Sequence, residues 1–270
     1  MKKLIALIIT ITLLTTCATT SQTSSDEEDK RQEIVYELQY GKLLAQKILA
    51  SYPLLNDQQL NFYVNKIGKS VALYAGRPEL EYRFAVLDTD NINAYAAPGG
   101  YVFVTKGAIA LMDDESELCA VIAHEIGHVN YKHIMTELPP PRGKLTIADR
   151  ITSVLLAQGA VMSSAFSEVA NKAADRLFVE GLKKESEFEA DSAGLYYSDA
   201  VGYDTYGLLR FLEKINIYEK QKSGTLVYNA HPPTDERIAR VKDIIAKENF
   251  TKNAPRNKDR FIKEIQHLKK

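Results

Sequence analysis

The stretch CAVIAHEIGHVNYKH, Cys119 to His133, carries three of the chain's five histidines. Two of them, His124 and His128, are four residues apart and bracket Glu125. Residues at that spacing share one face of a helix. The pattern therefore demands a helix here, with two imidazoles turned toward one point. Such a pair can hold a divalent ion, while Glu125, beside the first ligand, reaches a metal-bound water rather than the metal. This is the chemistry of His-Glu-x-x-His: two ligands, a general base, and a zinc ion that brings water's pKa toward neutrality. A catalytic zinc keeps three protein ligands and one open position, so a third ligand must come from elsewhere.

Simple spacing rules out near candidates. His133 lies nine residues from His124, on the opposite face of a continued helix, and reads as a solvated histidine. A metzincin needs glycine at position 131 and histidine at 134, where the chain has Tyr131 and Ile134. Cys119 falls on the buried side and reads as a small core residue. The next dense acidic feature is Glu185-Ser-Glu-Phe-Glu-Ala-Asp191. Glu187 and Asp191 share a helical face, and so do Glu185 and Glu189. With Glu187 as ligand, Asp191 can stand behind an imidazole and fix its tautomer. Spacing leaves both pairs open.

The rest of the chain frames this helix. Periodic apolar residues predict helices over Glu33 to about Ala50 and Asp57 to about Ala75. Tyr82–Leu87 and Tyr101–Thr105 alternate as strands, and Ala97-Pro-Gly-Gly100 between them suits a type II turn. A small antiparallel sheet beside the metal-binding helix is expected. Asp114, with Glu117 three residues on, is the expected N-cap, and the proline run after Leu138 is the expected stop. Residues 145–182 are expected to be helical, followed by helices from about Lys183 through Tyr197 and after Thr234. The fold class is α+β, predominantly helical and zincin-like.

The N-terminus reads as an export signal: Lys2 and Lys3, then an apolar run from Leu4 to Leu14 that is too short for a permanent span. Leu14-Thr-Thr-Cys17 is similar to the lipobox of bacterial lipoproteins and makes Cys17 the expected lipidation site. Residues 1–17 are then a signal segment, 18–32 a flexible polar tether, 33–250 the catalytic domain and 251–270 a tail. Two cysteines are too few for a disulfide framework, and a formal charge of −1 leaves no basic footprint for nucleic acid.

Four blocks in order resemble the HtpX and CAAX-prenyl-endopeptidase superfamily of zinc metallopeptidases, especially its compact periplasmic lipoprotein members. They are Asn93–Gly107, Glu117–Val129, Glu187–Asp191 and His231–Ile238. The resemblance implies one zinc ion held by His124, His128 and Glu187, with Glu125 and Asp191 as catalytic partners. It places His231 near the active site, either stabilising a tetrahedral intermediate or approaching the zinc and blocking it. Asn93 and Ala94 open an edge strand that pairs with substrate backbone in similar enzymes, and Arg237 is positioned to meet an oxyanion or an acid.

The implied activity is endopeptidase action on unfolded or misassembled envelope proteins. A lipid anchor would hold the chain on the membrane, facing the periplasm and most consistent with the outer membrane. The alternative is a latent peptidase serving mainly as a chaperone or assembly factor. Residues 137–180 are a candidate movable cover. No further transmembrane helix and no long C-terminal extension are expected.

Overall fold

Asp57 begins the first short helix of the domain: its carboxylate accepts from the Leu60 N–H at 3.0 Å, the N-cap arrangement that satisfies an otherwise orphaned donor. In the computed structural model, which describes residues 2–139, 164–179, 181–221 and 234–269, this helix is α2 (Gln58–Ala72). Leu60, Val64, Ile67 and Val71 form its buried stripe. It follows α1 (Lys2–Ser51). The chain divides into two compact units, Met1–Gln39 and Tyr40–Lys270. α1 includes the stretch read as a tether; TTSQTSSDEEDK contains no glycine or proline to interrupt helical backbone. No helix among the described residues is long and apolar enough to cross a membrane.

Three strands follow: β1 (Arg83–Leu87), β2 (Ala94–Ala97) and β3 (Tyr101–Thr105). Their order is β1-β3-β2. β3 pairs antiparallel with β2, Ala94 opposite Val104, and parallel with β1, Arg83 opposite Tyr101. The sheet is therefore mixed rather than purely antiparallel. The Pro98-Gly99-Gly100 turn has the expected positive φ at Gly99, but it joins β2 to β3. The chain leaves β1, turns back as β2 and returns as β3 in the gap between them. β2 is thus an edge strand of this sheet, and it lies against the next long helix.

α3 (Lys106–Leu111) leads to α4 (Glu115–Asn130), which carries the two histidines. Every residue of α4 from Glu115 to Val129 is buried, which makes it the central helix rather than an amphipathic one on the surface. It ends at Asn130, earlier than the proline run. Lys132 takes a left-handed conformation (φ 56°), and a separate short helix, α5 (His133–Glu137), follows. α6 (Ser164–Val179) and α7 (Lys184–Ala200) come next. α8 (Tyr206–Gln221), which the sequence reading did not pick out, packs on α4. Its Gly207 lies so close that an added Cβ would be 2.4 Å from the Ser116 carbonyl oxygen. α9 (Thr234–Lys247) seals Ile238 and Val241 against Leu195, Leu208, Leu209 and Leu212.

The C-terminal segment, which the sequence leaves as a peripheral helix or a frayed end, forms a helix that packs inward. α10 (Lys258–Ile265) buries Phe261 and Ile265 completely, and the residues around its start neutralise the first turn of α4. Asp114 caps the Glu117 N–H at 3.1 Å and is held by Arg210 and by Arg256 at 2.7 Å. Glu115 accepts from Tyr63 and Tyr203, each at 2.5 Å, and from Arg260 Nε at 2.6 Å. Glu117 pairs with Lys214 at 2.7 Å. Acids at a helix N-terminus also favour its dipole. Burial pushes the Glu115 carboxyl upward, but hydrogen bonds from Arg260, Tyr203 and Tyr63 outweigh it and hold the group below its ordinary 4.5.

A depressed carboxyl contributes stability above its unfolded pKa and loses it as pH falls through the lower folded value. Arg260→Ala should therefore cost about 1–3 kcal/mol at pH 7, the lower part of the range being favoured because Arg260 is half exposed. In urea unfolding, the gap between wild type and variant should shrink below about pH 4. A gap that stays constant to pH 3 contradicts this role for Glu115.

Candidate metal centre and cleft

α4 brings His124 Nε2 and His128 Nε2 to 3.0 Å of one another. The third position of the centre comes from the first turn of α7. Glu187, 1% exposed, places Oε2 3.5 Å from His124 Nε2 and Oε1 3.4 Å from His128 Nε2. Tetrahedral zinc with bonds of about 2.0–2.1 Å has ligand–ligand edges of about 3.3 Å. The three observed separations bracket that edge, so the donor set fits one small divalent cation. Among the described residues it is the group of histidine, cysteine and acidic side chains that could hold a metal ion.

The charges agree. Burial drives the His128 imidazole down to about 4, with Glu187 opposing the shift. Burial also disfavours charge on His124, but Asp191 and Glu187 overcome it and lift that imidazole to about 9. Nε2 of both imidazoles and the Glu187 carboxylate turn toward one point, where a bound cation would satisfy all three.

Asp191 lies behind the first of these rings, its Oδ1 3.0 Å from His124 Nδ1. It is completely buried, which would raise its pKa, yet the Arg237 guanidinium holds it at about 2. That guanidinium is bidentate, Nε to Oδ2 at 2.8 Å and Nη2 to Oδ1 at 2.6 Å, and its Nη1 lies 3.4 Å from Glu187 Oε2. Of the two partners expected for Arg237, an oxyanion or an acid, the structure supplies the acid. Bidentate pairing of this kind fixes geometry as well as charge.

α4 and α7 approach closely enough for this centre because small residues line the contact. A Cβ added to Gly127 would stand 2.8 Å from Ala193 Cβ and 3.2 Å from Ala190 Cα. The space left by Gly127 is therefore filled by α7.

Glu125 is 4% exposed and borders two cavities. One is walled by Val121, Leu208, Phe211, Leu212 and Ile215, the other by Ile134, Leu177 and Leu182. Asn93 and Ala94 border both, so the start of β2 runs past Glu125. The Asn93 side chain accepts from the Ala94 N–H at 2.8 Å.

His133 departs from the expectation of a solvated residue. It is 4% exposed and lies 2.9 Å from His128, Nδ1 to Nδ1. The turn at Lys132 breaks the helix and brings the ring back; neither glycine nor proline marks that break in the sequence. Cys119 is a core residue as read, its thiol pushed up to about 12 by burial. His231 lies outside the described residues, as do residues 140–163 of the candidate cover.

Residues 58–245 match the model of Peptidase family M48. The chain is 28% identical over 206 residues to the beta-barrel assembly-enhancing protease of Escherichia coli K12, covering 75% of this chain and 42% of that one. It is 27% identical over 193 residues to the metalloprotease LoiP of the same organism, 72% of each. It is 24% identical over 221 residues to the mitochondrial metalloendopeptidase OMA1 of Schizosaccharomyces pombe, 80% of this chain and 59% of that one. The match thus spans less than half the length of the first of these relatives.

Alanine at 127 should overpack the helix contact by about 1–3 kcal/mol. Part of that strain should move α7, so that metal affinity falls roughly tenfold or more while the far-ultraviolet circular dichroism is retained. Gly127→Ala protein with wild-type metal affinity contradicts the role of this contact.

Proposed function

The chain belongs to peptidase family M48, and we propose that it is a zinc-dependent endopeptidase acting on unfolded or misassembled proteins of a bacterial envelope. The convergence of His124, His128 and Glu187 on one point beside Glu125 carries this reading.

Held by those three residues, zinc supplies Lewis-acid polarisation of a carbonyl and of water. The protein's own groups do the rest. Glu125 removes a proton from the attacking water and later delivers it to the departing amine. Asp191, locked by Arg237, keeps His124 in the tautomer that offers Nε2. An extended chain laid along Asn93 and Ala94 would be read through its main chain. The apolar walls on either side of Glu125 suit side chains that folded proteins hide, which supports unfolded substrates. We assign His231 to the same site, as a group that assists or blocks the metal.

The export signal and Cys17 support a lipid-anchored protein facing the periplasm, placed most simply at the outer membrane. Residues 1–17 are the signal, 18–32 lie between anchor and domain, 33–250 are the catalytic domain and 251–270 its C-terminal segment. The name of one relative joins assembly to proteolysis, and this favours a second reading in which the peptidase is latent and assists assembly.

With detergent-purified full-length protein, casein cleavage should be abolished by chelator and restored by zinc. Glu125→Gln should lower it by about 10²–10⁴-fold without loss of metal. Zinc-loaded wild type that leaves casein intact but suppresses its aggregation favours the assembly reading. Equal cleavage by wild type and Glu125→Gln contradicts the peptidase mechanism.

A further inference from the structure

The inner ligand, His124, is backed by Asp191 and Arg237. His128 has a different support. Its Nε2 faces His124 Nε2 and Glu187 Oε1, so it must present a lone pair there to ligate a cation. Its proton is then on Nδ1, and the group waiting 2.9 Å away is Nδ1 of His133. To accept that proton's hydrogen bond, His133 must keep its own proton on Nε2. That nitrogen lies 3.0 Å from Glu189 Oε2, an acceptor. Each link permits one tautomer, and every donor meets an acceptor.

We propose that His133 and Glu189 form a positioning relay that fixes the tautomer and ring angle of the metal ligand His128. This rests on the metal-site reading above. Two further observations support it. The His128 and His133 rings meet at 73°, edge toward face, with centroids 5.1 Å apart, so His133 restricts rotation as well as accepting a bond. The backbone is also shaped for the contact. Lys132 has φ 56° and ψ 34°, a conformation that L-residues other than glycine seldom adopt. Only through that reversal does a residue nine positions from His124 return to the metal side of α4.

The two supports differ in exposure. Asp191 and Arg237 are buried, whereas the side chain of Glu189 is 64% exposed. The relay behind His128 therefore runs from the centre to the surface. It also gives a role to one member of the second acidic pair of α7: Glu189, two residues beyond Glu187, reaches the outer side of the same centre.

The test uses the full chain, with zinc affinity measured by competition against a chromophoric chelator and cobalt substituted for the visible spectrum. His133→Ala should weaken zinc binding about 10–100-fold and shift the cobalt bands. His133→Asn, whose amide oxygen can accept from His128 Nδ1, should recover most of the affinity. Glu189→Ala should weaken zinc by a smaller factor, about 3–10-fold, with unchanged circular dichroism.

Wild-type affinity and cobalt bands in His133→Ala overturn the relay. So does an Asn variant no better than Ala, because shape alone would then explain the loss. If His133→Ala does not fold, Glu189→Ala decides, and unchanged affinity there overturns the proposal. A wild-type chain that binds no zinc removes the metal-site reading along with the relay. A zinc-binding wild type with indifferent variants removes only the relay.

Discussion

The close approach of α7 to α4 is the contact on which the rest depends. Gly127 faces Ala190 and Ala193, and Gly194 faces the Ala120 carbonyl and the backbone nitrogen of His124. With Gly127, Ala190, Ala193 and Gly194 at the close approach, a carboxylate from the first turn of one helix reaches both imidazoles of the other. The same approach sets Asp191 behind His124. Burying two carboxylates and two imidazoles together costs several kcal/mol per uncompensated charge, and the bidentate guanidinium of Arg237 offsets part of that cost. α9, which supplies it, is therefore a component of the site as well as of the core.

At its other end α4 is anchored by a second charge cluster. Asp114, Glu115 and Glu117 are fully buried, and their partners come from α2, α8, the Tyr203 turn and the segment around α10. A central helix buried on all sides has no solvent face on which to adjust. Fixing its first turn and packing its middle against α7 thus fix the orientation of its two histidines. Glu125 lies between them in the chain and borders both cavities, with the edge strand β2 alongside.

Much of this was legible in the sequence. The His124–Glu125–His128 spacing required the helix, and the Glu187–Asp191 spacing allowed a ligand and an orienting acid on one face. Spacing could not choose that pair over Glu185 and Glu189; the resemblance made that choice, and in the structure Glu189 meets His133. Partners distant in the chain were hidden. Glu115 meets Arg260 across 145 residues, and no local pattern announces such a pair. The insertion of β3 between β1 and β2 was missed because alternation identifies strands but carries no pairing order. The break at Lys132 was missed because it lacks glycine and proline, and His133 was misread with it. α8 did carry a signal, since Leu208, Phe211, Leu212 and Ile215 recur at helical spacing.

The central claim is a single cation held by two imidazole nitrogens of α4 and one carboxylate of α7. Zinc K-edge X-ray absorption on the purified full-length protein tests it most directly. The account predicts a first shell of nitrogen and oxygen scatterers only, at about 2.0–2.1 Å, with outer-shell scattering from two imidazoles. A sulfur scatterer near about 2.3 Å, a single imidazole, or protein that retains no zinc would contradict it.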